Sequence, residues 1–286
     1  MKIIKKPSAL QKNIEKLRLE GKIIGVVPTM GYLHEGHLSL LRIARKKCDV
    51  LVLTIFVNPT QFGKGEDLDR YPRDFKRDLS LARKEKVDFV FYPSVNDMYP
   101  NSYQTYVINK VISKKLEGEF RPTHFEGVTT VVAKLFNIVK PHIAVFGQKD
   151  YQQAQIIKSM VKDLNFDVKI ILAPIIRESD GLAMSSRNVY LSLSERNEAL
   201  ALNKSLLLAE DLIKKGERNC KLIIQKMKNF ISKNKSIKID YIKVADLSLS
   251  QYLKELKNNT TCVILLAARV GNTRLIDNKI IKIGSK

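Results

Sequence analysis

The chain predicts an α/β fold, a Rossmann-like doubly wound parallel sheet with a smaller C-terminal α+β domain, on three observations. Between residues 22 and 173 short apolar runs alternate with stretches of helical spacing, as strands do when crossover helices join them. Residues 49–57 are almost wholly Val, Leu, Ile and Phe, which suits a parallel strand covered on both faces. The glycine- and histidine-bearing segments fall where apolar runs end, and sheets of this kind bind ligands at the carboxyl ends of their strands.

Residues 22–30 read as the first strand of this alternation. The run Val26-Val27 passes into Pro28-Thr29-Met30-Gly31, a turn, and Leu38, Leu40, Leu41, Ile43 and Ala44 set a helix over 36–47. A strand follows at 49–57, then a helix over 72–86 with Phe75, Leu79 and Ala82 on one face. Residues 87–92 give a third strand, and 103–108 alternate like a more exposed one. A helix over 128–139 turns Val131, Val132, Leu135, Phe136 and Val139 inward and stops before Pro141. Strand 142–146, helix 151–164 and strand 168–173 complete the series before Pro174. The first domain is read as 1–175 and the second as 176–286.

After about Arg187 the texture changes. Two amphipathic helices are expected at 194–216 and 220–232, the first capped by Ser194 with Glu195 and Glu198 in its first turn. Strands follow at 237–245 and 261–270, then short extended pieces at 274–277 and 279–283. No internal repeat or low-complexity linker is visible.

Composition narrows the function classes. At 286 residues and 44% apolar content the chain has an ordinary globular make-up, far from the disordered class. No apolar run approaches the ~20 residues a bilayer span needs. Residues 1–7 hold lysines but no long apolar core, so neither a signal peptide nor a membrane partner is expected, and the location is read as cytoplasmic. Cys48, Cys220 and Cys262 are far apart and form no C-x-x-C pair, so a zinc ribbon or redox pair is unsupported. With 50 basic against 29 acidic residues the formal charge is +21. That charge is spread from Lys2 to Lys286, much of it lysine on helical faces such as Lys214, Lys215, Lys226 and Lys228. A nucleic-acid surface would concentrate arginine and aromatics on one element, so no nucleic-acid partner is expected. The positive field still suits anionic small substrates.

The chemistry-bearing residues cluster in a few segments. In Met30-Gly31-Tyr32-Leu33-His34-Glu35-Gly36-His37 a strand turns on glycine and feeds a helix. The unpaired N–H groups at such a helix start favour phosphate, and two imidazoles add donors suited to a triphosphate. A metal site or a buried polar pair would be the plainer readings of His34 and His37, but H-x-x-H lacks the i, i+4 spacing of H-E-x-x-H. No protein-held metal site is expected. Asn58-Pro59-Thr60-Gln61-Phe62 presents a carboxamide at a strand end, able to donate and accept to a polar substrate. Arg70-Tyr71-Pro72-Arg73 follows it, and Arg121-Pro122-Thr123-His124-Phe125-Glu126-Gly127 is a further polar stretch. In Phe146-Gly147-Gln148-Lys149-Asp150-Tyr151-Gln152-Gln153 a glycine opens a helix with a lysine at its mouth. Asp180-Gly181-Leu182-Ala183-Met184-Ser185-Ser186-Arg187-Asn188 offers two hydroxyls and a guanidinium beside a glycine.

Taken together, and in this order, these segments resemble the pantothenate synthetase (pantoate–β-alanine ligase) family of the nucleotidyltransferase superfamily. His34-Glu35-Gly36-His37 stands as the HIGH element and Met184-Ser185-Ser186-Arg187 where KMSKS would lie. Ala268-Arg269 and Arg274-Leu275-Ile276-Asp277-Asn278 extend the resemblance to the end of the chain.

What the resemblance implies is an ATP-dependent condensation of pantoate with β-alanine through a pantoyl adenylate, releasing AMP and pyrophosphate, with Mg²⁺ accompanying ATP. It implies that Met30, Gly31, Tyr32, Leu33, His34, Glu35, Gly36 and His37 cover the nucleotide, with His34 and His37 donating to phosphate oxygens and His37 catalytic. Lys149 would neutralise phosphate within Gly147, Gln148, Lys149 and Asp150, and Asp150 would meet ribose or assist Mg²⁺ indirectly. Ile176 would touch adenine through its backbone. Met184, Ser185, Ser186 and Arg187 would clamp the triphosphate, Arg187 countering its charge, with Gly181 letting the loop move as a lid. Gln61 and Gln153 would hold pantoate, and Gln61 would also face β-alanine. Tyr71 would line the pantoate pocket and Arg121 pair with a carboxylate; His124 and His142 receive no role, His142 being structural. A homodimer is also implied.

Two other readings compete. A nucleotidyltransferase that stops after nucleotidyl transfer would not need Gln61 and Gln153, and a basic RNA-binding module rests on charge alone.

Overall fold

In the computed structural model, residues 1–285 are described, and they divide into two compact units. The first spans 1–148 and 152–174, the second 149–151 and, among the described residues, 175–285.

The first unit is a six-stranded parallel sheet. Its strands are β1 (Lys2–Ile4), β2 (Ile24–Thr29), β3 (Val50–Ile55), β4 (Phe89–Phe91), β5 (Ile143–Gly147) and β6 (Lys169–Ala173), in the order β1-β4-β3-β2-β5-β6. From β2 the chain winds through β3 and β4 to one edge; β5 returns to the other side of β2 and β6 follows it. The winding direction therefore switches between β2 and β5, where a crevice opens at the carboxyl ends of such sheets.

The two faces of the sheet carry separate cores, as the period of two requires. Val26, Val52, Phe91, Ala144 and Phe146 pack with Leu10 and Ile14 of α1 (Pro7–Leu19), with α6 (His124–Val139), and with Ile157 and Met160 of α7 (Tyr151–Asp163). Val27, Leu51, Leu53, Val90 and Val145 pack instead with Leu38, Leu41 and Ala44 of α2 (Glu35–Arg45) and Leu79 and Ala82 of α3 (Phe75–Lys84). Each fully buried leucine here stabilises the fold by roughly 1.5–3 kcal/mol. Two four-residue turns of helix, α4 (Val95–Met98) and α5 (Glu117–Phe120), lie in the connection from β4 to α6.

Several expected elements differ. The N-terminal β1 and α1 were not marked by any periodic run read from the sequence, although Pro7 stands at the first turn of α1. Residues 103–108 are not a strand. Their backbone is tied to α6 by side chains: the Thr130 hydroxyl accepts from Val107 N–H and the Thr129 hydroxyl donates to Val107 C=O. Tyr103 and Tyr106 meet edge to face, and residues 104–106 are all exposed, so the alternation of residue types does not become a strand. Helix α6 begins at His124, four residues before the expected 128.

The second unit packs α8 (Leu193–Lys214) and α9 (Cys220–Ile231) on an antiparallel sheet of β7 (Ile237–Ala245), β8 (Thr261–Val270) and β9 (Thr273–Lys282). One core joins Ala199, Leu202 and Leu206 to Ile223, Met227, Ile242, Ile264 and Leu266. Buried Cys220 and Cys262 are free thiols, and burial pushes them up to about 11 and about 12, so they stay protonated and inert as nucleophiles. The two extended pieces expected at 274–277 and 279–283 are a single strand, β9, paired to β8 from Thr273 to Lys282. Its interior holds Asp277 and Asn278, both buried, which break the apolar pattern.

The cap of α8 is Ser192, not Ser194. Ser192 accepts from Glu195 N–H at 3.3 Å, and the Glu195 carboxylate accepts from Ser192 N–H at 2.8 Å, a capping box whose S-x-x-E spacing Ser194 cannot supply. Ser192→Ala is expected to lower the unfolding free energy by about 1 kcal/mol, read as a shift of the urea midpoint, and exposed Ser194→Ala to leave it within about 0.5 kcal/mol.

Candidate active site

Three polar segments of the first unit follow the carboxyl ends of adjacent strands β2, β3 and β5. The turn after β2 is fixed by hydrogen bonds to its backbone. The Thr29 hydroxyl donates to Thr54 C=O at 2.7 Å and accepts from Gly31 N–H at 3.2 Å. Gly31 (φ +85°) and Tyr32 (φ +50°) are successive left-handed residues. A Cβ on Gly31 would stand 3.0 Å from both the Asp78 carboxylate and Ile55, so glycine is required there on two grounds. Buried Asp78 accepts from Tyr32 N–H at 2.8 Å and Leu33 N–H at 2.7 Å. Burial raises its pKa, and the two backbone donors oppose that rise.

His34 sits at the N-cap of α2 with extended backbone (φ −135°). Its C=O accepts from His37 N–H at 2.8 Å, and its N–H points to His37 Nδ1 at 3.4 Å. An acceptor at Nδ1 puts the proton of a neutral His37 ring on Nε2. The two rings lie 4.1 Å apart between centroids, tilted by 37°. Glu35 turns away from this pair into an exposed ion pair with Arg42, which also binds Glu85. A carboxylate is thereby kept from a place read as anion-binding.

The turn after β3, Pro59–Gln61, is held from several sides. The Asn58 carboxamide donates to Gln61 Oε1 and to Gly127 C=O, each at 3.1 Å. Gln61 Nε2 lies 3.1 Å from Met30 Sδ, which brings two of the expected site residues together. Gln61 C=O accepts from Arg121 at 3.1 Å and meets His124 Nδ1 at 2.9 Å. Arg121 in turn grips Glu66 with two bonds of 2.7 and 2.5 Å, the carboxylate pairing expected of it. A Cβ on Gly127 would fall 2.5 Å from Thr60 C=O, so only glycine lets α6 approach this turn. The stretch 121–127 is thus a cradle for 58–61. His124 and Gly127, which carried no role in the sequence, are central to it.

Tyr71 is buried edge-on against Phe62. His142 Nδ1 accepts from Ile24 N–H at 2.9 Å, a structural role. Gly147 closes β5, Gln148 begins the short turn before α7, and Gln153 lies half-buried on the first turn of α7.

In the second unit, residues 176–184 form a small hairpin. Met184 N–H donates to Ile176 C=O at 3.0 Å and Glu178 N–H to Leu182 C=O at 2.8 Å. Gly181 (φ +93°) makes its tip, where a Cβ would come 2.8 Å from Asn203. Arg177 braces the hairpin through two bonds to Asp277, at 2.7 and 2.9 Å. Glu178 accepts from Asn188 at 2.7 Å and from Arg196 at 2.6 Å. The segment Met184-Ser185-Ser186-Arg187 leaves this frame: the Ser185 hydroxyl caps the following short turn by accepting from Arg187 N–H at 3.3 Å, Ser186 is buried and Arg187 half-buried. Lys149 C=O accepts from Asn278 at 3.0 Å, and Lys149 Nζ lies 4.0 Å from the half-exposed Asp150 carboxylate.

A doubly wound parallel sheet with a paired-histidine helix start beside its switch point belongs to the α/β class that binds ligands at the carboxyl ends of its strands. The pantoate-beta-alanine ligase family profile matches residues 2–280, and the chain belongs to that family. It is 54% identical over 281 residues to a pantothenate synthetase of Thermotoga petrophila, covering 98% of this chain and all of that one. A pantothenate synthetase of a Thermoanaerobacter species is 55% identical over 278 residues, covering 97% of this chain and 98% of that one. Among solved structures, pantothenate synthetase from Thermus thermophilus superposes with a TM-score of 0.92 at 37% identity, with full coverage of both chains. The Francisella tularensis pantoate-beta-alanine ligase, solved with β-γ ATP and β-alanine, gives 0.81 at 35% identity, covering 98% of this chain and 97% of that one. Membership of a ligase family counts against a transferase that stops after nucleotidyl transfer.

His124 offers a test of the cradle. Burial, with Arg121 adding to it, pushes its imidazole down to about 4 from an ordinary 6.5. The unfolded chain then takes up a proton that the folded chain refuses, so stability falls as pH drops from about 6.5 to about 4. The loss is on the order of 3 kcal/mol over that window. Urea unfolding at pH 7 and pH 4.5 should show a smaller pH difference in His124→Asn than in the wild type.

Proposed function

We propose that this chain condenses pantoate with β-alanine at the expense of ATP, through a pantoyl adenylate. A pantoate carboxylate oxygen attacks the α-phosphorus of ATP; the new O–P bond forms as the bond to the β-phosphate oxygen breaks and pyrophosphate leaves. The amine of β-alanine then attacks the acyl carbon, the C–N bond forms, AMP departs with the carbonyl-bound oxygen, and the amine loses its proton. A free carboxylate is a poor acyl donor, and AMP is a good leaving group. Positioning and charge stabilisation carry both steps, so no protein nucleophile is needed.

In this reading His34 and His37 donate to phosphate oxygens, His37 through Nε2. Lys149 and Arg187 neutralise phosphate charge. Met30, Gly31, Tyr32, Leu33, Glu35 and Gly36 border the nucleotide together with Gly147, Gln148 and Asp150; Ile176 faces adenine, and Met184, Ser185 and Ser186 complete the clamp. Gln61 and Gln153 hold pantoate, with Tyr71 beside them. The second unit serves as a lid. The observation that carries the reading is the Gln61 side chain, oriented by Asn58 on one atom and resting on Met30 with the other, at the end of a strand next to the one that feeds His34 and His37.

Mg²⁺ fits as an ion brought by the triphosphate. Among the described residues no group of three or more His, Cys, Asp or Glu could hold a metal. Asp150, half-exposed, is the carboxylate available to it. One carboxylate with phosphate oxygens and waters is an ordinary Mg²⁺ environment, and the ion would supply charge neutralisation on the phosphates. The proposal includes a homodimer acting in the cytoplasm, as the resemblance implies; among the described residues no helix is long and apolar enough to cross a membrane.

A substrate-omission assay following AMP tests the whole reading. AMP should accumulate only when ATP, pantoate and β-alanine are all present at catalytic turnover; AMP release without any amine would refute it. His37→Ala should cut pantoate-dependent pyrophosphate exchange by roughly 10²-fold or more with the fold intact, and near-wild-type exchange would remove His37 from its role.

A further inference from the structure

The geometry points to two adjacent residues of α3, Arg77 and Asp78, as positioning residues for nucleotidyl transfer: they fix the Gly31–Leu33 turn so that His34 and His37 stand in place at the start of α2. This deepens the function proposed above and rests on it.

Asp78 is 1% exposed, yet it contacts neither apolar filling alone nor another side-chain donor at the turn. Each of its oxygens takes one backbone N–H, Tyr32 to Oδ2 at 2.8 Å and Leu33 to Oδ1 at 2.7 Å. Successive left-handed residues, Gly31 and Tyr32, turn neighbouring N–H groups toward one side, a shape that elsewhere cradles a bound anion. Here the anion is built in. The Tyr32 and Leu33 amides are spent on Asp78, so contact with phosphate along this stretch falls to the imidazoles and to the helix start.

Arg77 grips the next peptide, Leu33–His34. Its guanidinium donates to Leu33 C=O at 2.8 Å and lies 5.4 Å over the Tyr32 ring. Leu33 is fully buried and so anchors the chain between these two hands. His34 is the next residue, and its backbone opens α2. A rotation of the Leu33–His34 peptide would therefore carry both imidazoles with it. The carboxylate of Asp78 stands in the first turn of α3, whose dipole favours a negative charge there. An Asn in its place keeps one acceptor oxygen and sets an NH₂ against an N–H, which breaks one bond and opposes two donors.

Apart from the contact of its Nε2 with Met30, Gln61 is held by groups outside α3 and the histidine turn: Asn58, Arg121 and His124. Disturbing α3 should then slow nucleotidyl transfer without loosening pantoate. The experiment is exchange of labelled pyrophosphate into ATP, dependent on pantoate, in the wild type, Asp78→Asn and Arg77→Ala. The expected result is a kcat lowered roughly 10²-fold in Asp78→Asn and about tenfold in Arg77→Ala, with KM for pantoate within about twofold of wild type. A folded Asp78→Asn with kcat within about twofold of wild type, or a loss confined to KM for pantoate, overturns the inference. Should Asp78→Asn fail to fold, Arg77→Ala, altered at an exposed side chain, decides it by the same two constants. No exchange in the wild type would bring down the proposed function and this inference together. Normal wild-type exchange with unchanged variants brings down the inference alone.

Discussion

The pairing of β2 with both β3 and β5 is the constraint on which the first unit rests. Because all three strands run parallel, their carboxyl ends reach the same edge of the sheet. The His34 turn, the Asn58–Gln61 turn and Gly147 leave from that edge side by side. β2 is also where the winding reverses, so the helices following β2 and β5 diverge to opposite faces and leave the edge between them open. Had the strands been antiparallel, the same segments would have been divided between two edges. The site is therefore a consequence of strand direction before it is a consequence of any side chain.

On that edge the polar residues are held by a division of labour between side chain and backbone. Asp78 and Arg77 act on the main chain of the histidine turn. Arg121 and His124 act on the main-chain carbonyl of Gln61, while Asn58 acts on its side chain. The donors and acceptors named here are paired, which keeps the cost of burying them low. A neutral His124 belongs to this arrangement, since a charged imidazole next to Arg121 would repel it. In the second unit Arg177 and Asp277 do the same for the hairpin that leads into Met184 and Arg187.

Much of the architecture was legible because strong periodicity and burial coincide. β7 and β8 lie where apolar runs mark them, and β2 to β6 differ from expectation only at their ends. What could not be read shares a cause: partners distant in sequence. The residue types at 103–108 alternate as in a strand, but what holds Val107 is Thr129 and Thr130 of α6. β9 looked broken because Asp277 and Asn278 are buried against Arg177 and the Lys149 carbonyl, polar partners about a hundred residues away. The histidine pair, Gln61 and the serine-arginine loop stood out by residue type at strand or helix ends. Asp78 did not, although a carboxylate on the inward face of an amphipathic helix beside Leu79 and Ala82 was the available signal. Gly127 had no signal at all without the turn it approaches.

The edge strand β1 has a consequence for how the sheet is assembled. Lys2, Ile3 and Ile4 pair with Phe89, Val90 and Phe91, so β1 waits for a partner from much later in the chain. The entropy of closing so long a loop is met only after β2, β3 and β4 have their own neighbours. Three residues at the rim repay little of that entropy, which puts β1 among the parts of the molecule that open first and close last. During synthesis the α/β unit can therefore take shape from its middle outward, with β1 added at the end.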